Sequence, residues 1–421
     1  MSDFNRSFKL MVAGQVITMF GASVLRFALS LYILDLTESA TIFGAILALS
    51  IVPTILISPI GGAIADRFNK KRLMVTLDTI SGTLIAMFAL ILASGHINVM
   101  TIAILMTALT LISALYQPAV QSSIPVLVPK ELLMKSNGII SGVMSISNFV
   151  GPIVGGVLYS FANINAIVIV SAICFFFASF MEIFMKIPFK KSPPQPLVKM
   201  VITDIKGGLM YIIHENRFIF KSIFVTFIVS LFIAPMFFVG LPYLVKILLD
   251  MPDTYFGFTQ SGISLSIIFS AMTIGMLKGK IQLSNLYLWI VGCGGVYLIM
   301  AASLSGIFSS SFIQYLVVTL SSMLVMFALT VVNIFINTKI QEETPGNLLG
   351  KVMAIQITAG TTAVPIGQML FGFLVDGFSN QIYLLIFGVG ILTLIISIGV
   401  QRMYRKRVSK PLVTQQESPG V

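Results

Sequence analysis

The sequence predicts an all-α integral membrane protein: twelve transmembrane helices in two six-helix bundles, with both termini cytoplasmic. Three observations predict it. Apolar residues make up 57% of the 421-residue chain and come in runs too long for the helices of a soluble core. Charged residues make up only 10%, against roughly 25% in an ordinary soluble domain, and mean hydropathy is +1.00. The basic residues sit between the apolar runs, which points to membrane topology.

A helix rises 1.5 Å per residue, so about 20 largely apolar residues cross the hydrocarbon layer. The first half of the chain offers runs at 10–34, 41–64, 73–94, 100–116, 138–161 and 164–187. The second half offers 218–244, 254–276, 286–304, 312–335, 352–374 and 381–400. The first run exceeds the apolar part of a signal peptide and lacks a small-residue cleavage site, so it is expected to remain as a span. Lys and Arg near span ends stay on the cytoplasmic side. With the N-terminus inside, the termini and even-numbered loops collect nearly all of them; only Lys246 falls outside and only Arg26 lies mid-span.

Pro188, Pro193, Pro194 and Pro196 break the longest inter-span segment, because proline cannot continue a helix. The expected organisation is a six-helix bundle over 1–187, a cytoplasmic linker over 188–217, a second six-helix bundle over 218–401 and a basic tail over 402–421. Within the linker, 197–214 places apolar residues at helical spacing beside Lys199 and Lys206, the pattern of an amphipathic helix on the inner membrane surface. The halves read as weak repeats. PKELLMKS from Pro129 has a counterpart in PGNLLGKV from Pro345, and Gly-Pro-Ile at Gly151 faces Val-Pro-Ile at Val364. Related bundles around a midplane cavity are a transporter's pattern.

Composition and spacing also exclude other classes. A net charge of +11 would suggest nucleic acid only on a soluble basic face, which this chain does not offer. Cys174 and Cys293 lie inside apolar runs and read as packing thiols, with no CxxC pair, disulfide framework or metal cluster. Gly275-x-x-x-Gly279-Lys280-Ile281 is one residue short of a phosphate loop and has Ile where Ser or Thr would bind magnesium. His96 and His214 stand without the Glu and second His of a helix-borne zinc site. No catalytic residue, cofactor or metal is expected, and the chain reads as a carrier and not an enzyme.

Two motifs carry the sharper signals. Between spans two and three the chain reads Gly62-Ala-Ile-Ala-Asp66-Arg67-Phe-Asn69-Lys70-Lys71-Arg72. Gly62 permits close helix approach, Asp66 suits a helix N-terminus, and Lys71 and Arg72 suit the anionic inner leaflet. This loop resembles the cytoplasmic signature of the major facilitator superfamily, G-x-x-x-D-R-x-G-x-R/K-R/K, except that Asn69 replaces a glycine. Asn tolerates the left-handed backbone that such a turn uses. The resemblance implies a gating role for Gly62, Asp66, Arg67, Lys71 and Arg72, with Asp78 in span three, latching the two halves when the cavity opens outward.

Span five carries Gly138, Ser147, Gly151-Pro152 and Gly155-Gly156. Small residues let helices touch, and Pro152 frees a backbone carbonyl and bends the span. The spacing is similar to the G-x8-G-x3-G-P-x2-G-G motif of drug/proton antiporters in that superfamily, with Ser147 in place of one glycine. Tyr116-Gln117-Pro118-Ala119, Pro125-Val-Leu-Val-Pro129, Phe27-Ala-Leu and Ser39-Ala40 resemble the macrolide-efflux type of exporter. That likeness implies proton-driven export of a hydrophobic or amphiphilic small molecule by a monomeric, multi-pass protein of the bacterial plasma membrane. The alternative is a dedicated exporter or symporter of one metabolite, such as a siderophore. Many such antiporters place an Arg in span four, and 109–114 has none here, so no proton relay carries over from it.

Among ionisable residues, Arg26 lies about 12 Å in from Leu34, too deep for an interfacial residue. It is expected to line the cavity, with snorkelling or an ion pair as the alternatives. Asp35 and Glu38 are expected to be solvated, Glu182 to pair with Lys186 at i,i+4, and Asp78 to pair with the basic loop. Polar interruptions at Gln117, Asn148, Asn333, Asn337 and Gln356 join Arg26 as cavity candidates. Phe227, Phe232, Phe237 and Phe238 offer an aromatic wall.

Overall fold

The helices begin where the sequence supplies caps. α1 (Arg6–Thr37), α3 (Lys70–Ala93), α4 (Val99–Leu127), α6 (Ile164–Ile183) and α7 (Arg217–Phe232) each follow an asparagine. The side chain of Asn5, Asn69, Asn98, Asn163 or Asn216 accepts a backbone N–H of the first turn, which an apolar helix end would otherwise leave orphaned. The remaining long helices are α2 (Ala40–Arg67), α5 (Leu133–Phe161), α8 (Asp253–Met276), α9 (Leu286–Ala302), α10 (Ser311–Glu343), α11 (Leu349–Gly377) and α12 (Ile382–Val408). This computed structural model describes residues 4–188, 206–276, 282–345 and 348–408, without the side chains of 56, 58–67, 130, 134, 275–276 and 405–408. Among the described residues, eleven helices are long and apolar enough to cross a membrane, and α2 contributes a shorter apolar stretch, Ala40–Ile55.

The tenth and twelfth spans run past their expected ends to Glu343 and Val408, and two others differ more. The fourth, expected to end at residue 116, continues to Leu127 through Pro118 and Pro125, because proline's lost hydrogen bond is tolerated where neighbouring helices support the backbone. It stops where Val128 turns extended ahead of Pro129. The seventh is not one regular helix: after Phe232 it passes into wider turns at Met236–Gly240 and Tyr243–Leu248, each directly after a proline, Pro235 or Pro242. Of the amphipathic linker helix, 206–215 is helical and 197–205 lies outside the described residues, as does 277–281 of the short phosphate-loop-like stretch.

In the first half α1 packs on α5 and α6, α2 on α4, and α3 on α6; in the second, α7 packs on α11, α8 on α10, and α9 on α12. The pairings 1–5, 2–4 and 3–6 thus recur as 7–11, 8–10 and 9–12. Two seams join the halves, α2 against α11 and α5 against α8, and they exchange under the same relation. The start of α1 and the end of α12 lie at one end of the helices, called proximal below; the α1–α2 turn lies at the distal end.

Candidate functional site

The distal end of each seam is clamped by polar groups. At α2–α11, Asp376 accepts the Ala40 N–H at 2.8 Å, the Thr41 N–H at 2.9 Å and the Ser39 hydroxyl at 2.6 Å. It therefore caps the N-terminus of a helix from the other half. Glycines let these backbones meet, since a Cβ on Gly372 would fall 2.4 Å from the Ala40 carbonyl oxygen and one on Gly44 2.5 Å from that of Gln368. Nearby, Lys246 reaches Asp35 at 2.8 Å and Asp253 at 2.5 Å, with its side chain 9% exposed. The ammonium also lies 4.9 Å from the Tyr159 ring centroid, and the Tyr159 hydroxyl donates to Asp35. Asp35 is thus ion-paired to the other half while its side chain stays 43% exposed, in keeping with the solvated position expected. Lys246 is the one basic residue that the sequence left outside.

The α5–α8 seam uses the glycine-rich stretch. Gly151 and Gly155 face Ser23 and Phe27 of α1, whereas Gly156 meets the Asp253 carbonyl oxygen and Gly257 of α8. A Cβ on Gly257 would lie 2.6 Å from the Pro152 carbonyl oxygen, so no larger residue fits without moving a backbone. Pro152 has no N–H to give the Asn148 carbonyl, and the Ser264 hydroxyl donates to it at 3.0 Å. One turn further, Ser261 donates to the Phe149 carbonyl at 2.7 Å. Phe27 and Phe256 stack across the seam with centroids 4.9 Å apart. Ser147 is buried, and Gly138 faces open space.

These bonds run from mid-helix to the distal end. In the proximal half of α5, Ser141, Ser145 and Asn148 are exposed at i, i+4 and i+7, a polar stripe on a single helix face. The side chains of Gly62, Asp66 and Arg67 lie outside the described residues; Lys71 is half-buried and Arg72 exposed. Asn69 is extended, with φ −62° and ψ 111°. It serves as the N-cap of α3, which corrects the left-handed turn expected from the sequence.

The cavity candidates are only partly brought together. On α10 and α11, Asn337 donates to Asn333 at 2.7 Å and accepts from Gln356, forming an amide ladder that leaves the Gln356 carbonyl oxygen unpartnered. Asn333 is exposed and Gln356 buried. Gln117 contacts the Met19 sulfur at 3.6 Å. Arg26 lies two turns along α1 from Met19 on the same line and roughly 140° from Gly21, which abuts Cys174 of α6. Its side chain is exposed and has no carboxylate partner among the described residues. Phe237 belongs to the buried core and cannot wall a cavity, whereas Phe238 is exposed and Phe227 and Phe232 are half-buried.

Two acids sit elsewhere than expected. Glu182 does not pair with Lys186: it is fully buried and accepts the Tyr116 hydroxyl at 2.6 Å. Asp78 is buried and accepts the Thr18 hydroxyl at 3.0 Å, and among the described residues it has no ion pair with the basic loop, whose Arg67 side chain lies outside them. Both lie inward of their helix surfaces because α3 and α6 pack on each other and on α1 and α4. The sequence reading passed over Asp376 and Gly257; an acid at the poorly basic end of span eleven, opposite Ser39-Ala40, was the available signal for the first.

The chain is similar to "Macrolide efflux protein A" of Streptococcus pyogenes, with 25% identity over 404 residues covering 95% of this chain and 96% of that protein. It is also similar to the "Staphyloferrin A transporter" of Staphylococcus aureus, with 22% identity over 358 residues and coverage of 83% and 85%. Among solved structures, the nucleoside transporter NupG superposes with a TM-score of 0.74 at 11% identity, covering 95% of this chain and 100% of that one; at that identity the likeness concerns the fold. The family model for the Major Facilitator Superfamily matches residues 11–368, and the chain belongs to that superfamily, as a multi-pass bacterial membrane protein of the transport class.

Proposed function

We propose that this protein exports hydrophobic or amphiphilic compounds by proton antiport with alternating access. Twelve spans, α2 included, place both termini in the cytoplasm, and units 1–187 and 218–401 rock against each other around a central site. The observation that carries the reading is the asymmetry of the α5–α8 seam, where the bonds among the described residues run from mid-helix to the distal end while α5 presents an exposed polar stripe proximally. On this topology that arrangement is inward-facing. Asp66, at the proximal end of α2, is the proposed counterpart of Asp376, latching α2 to α11 in the opposite state. Lys71 and Arg72 meet anionic lipid, and the protein acts as a monomer. Similarity to Macrolide efflux protein A along almost the whole chain supports the substrate class.

The test uses inside-out vesicles with an acidified lumen, a pH-sensitive dye, and a panel of macrolides, tetracyclines and lipophilic cations. Protein-dependent collapse of the gradient by one compound class is the expected result. No response across the panel would overturn drug antiport. A second reading, transport of one anionic metabolite such as a siderophore, is favoured by Arg26, which has no carboxylate partner among the described residues, and by the similarity to the Staphyloferrin A transporter. It requires uptake or efflux of a polycarboxylate that is lost in Arg26→Gln.

A further inference from the structure

The first six helices enclose a polar cluster that the pathway does not use. Asp78 of α3 is 1% exposed, Glu182 of α6 0%, Tyr116 of α4 2%, and Gln15 and Thr18 of α1 0% and 4%. Thr18 donates to Asp78. The Tyr116 hydroxyl donates to Glu182, and Gly14 and Thr18, one turn apart on α1, meet Glu182 and Asp78, so the two carboxyl groups approach the same face of that helix. Gly14 leaves the space that the Glu182 side chain fills, its missing Cβ position 3.3 Å from Oε1. The second Glu182 oxygen and both amide atoms of Gln15 are buried with no hydrogen-bond partner.

Among the described residues, no cation enters this cluster. α1 contributes Gln15 and Thr18, α4 Tyr116, α3 Asp78 and α6 Glu182; Lys186 is exposed, with its backbone N–H bound by the Ser7 hydroxyl. Two carboxylates buried together without a countercharge repel strongly at low dielectric, and binding one proton removes that cost. The unpartnered oxygen of Glu182 and the idle amide of Gln15 give such a proton an acceptor and a partner at no further desolvation.

We propose that Asp78 and Glu182 form a shared proton-binding site, set behind the cavity and coupled to it through α4. This deepens the antiport reading and rests on it for its role in transport. The reaction is protonation alone: a carboxylate oxygen takes a proton from water on one side and returns it on the other, with no other bond made or broken. Tyr116 faces the acids and the next residue, Gln117, faces Met19 on the Arg26 side of α1. Pro118 follows, leaving the Ala114 carbonyl without its helical donor, so α4 can adjust at this point. A substrate pressing on Gln117 thereby acts on the hydroxyl that holds Glu182.

The experiment is an infrared titration of the purified full chain between pH 5 and 10, following the carbonyl stretch of protonated carboxyl groups. The expected result is a band that titrates with one proton and is lost in both Asp78→Asn and Glu182→Gln. Should either variant fail to fold, Tyr116→Phe serves: the band moves to higher frequency, because a carbonyl has lost its donor. A band unchanged in these variants overturns the assignment, whatever the dye assay shows. Wild-type antiport with no such band leaves the export reading standing with another proton site. The band without any antiport keeps the site and removes the export reading.

Discussion

The two ends of the α5–α8 seam are built from the same antiparallel helices yet hold together differently, and the distal end of α2–α11 matches the tighter one. Distally, a carboxylate caps a helix of the other half, a lysine bridges two aspartates, and glycines bring backbones into contact. Proximally, α5 leaves serines and Asn148 exposed. The difference teaches that closure here depends on backbone proximity as much as on charge.

Filling a glycine should break the distal end most severely. Gly257→Val places a branched side chain against the Pro152 carbonyl, and overpacking of this kind costs about 3 kcal/mol, roughly 150-fold in the closed population. Cysteine accessibility at the distal end in whole cells should rise accordingly, and transport should fall. Lys246→Ala leaves Asp35 and Asp253 facing one another. About 2 kcal/mol, or roughly 30-fold, should be lost from the closed distal state, with the same accessibility as readout.

Asp376→Ala removes one cap. A shift of about 1.4 kcal/mol, roughly tenfold, is expected, and Asp376→Asn should recover part of it because the amide oxygen still accepts one of the two N–H groups that the carboxylate oxygens share out. Ser264→Ala uncovers only the Asn148 carbonyl that Pro152 frees. It should change the closed population by no more than about fivefold, read from transport rate and accessibility together. An order in which Ser264→Ala exceeds Gly257→Val would mean that side-chain bonds, and not backbone approach, hold the seam.

Much of the fold was legible because the membrane makes it so: apolar run length and the placement of Lys and Arg depend on local sequence alone. The Gly151-Pro152 and Gly155-Gly156 stretch was legible for a related reason, since small residues matter wherever helices touch. What they touch was not. Gly156 meets α8 through Gly257, about a hundred residues later in the chain, and nothing within either helix signals the partner. The acids failed for the same cause. Glu182 and Lys186 have the spacing of a surface pair, but α4 places Tyr116 beside Glu182, and burial against α1 turns the carboxylate inward. Phe237 reads as a pocket wall until the wider turns after Pro235 carry it into the core. Lys246 shows the converse. Its exceptional position was visible in the charge pattern, and only the fold explains it, as the cation of a latch between the halves.

The most direct test is a pair of spin-label distances measured on one protein, with Cys174 and Cys293 replaced by alanine. Labels at Phe161 and Ser309 report the distal end, and labels at Asn137 and Met272 the proximal end; all four positions are exposed. The expected result is reciprocal: in Asp376→Ala, and on substrate addition to wild type, the distal distance lengthens while the proximal one shortens. Distances that stay fixed, or that lengthen together at both ends, would contradict alternating access about these seams.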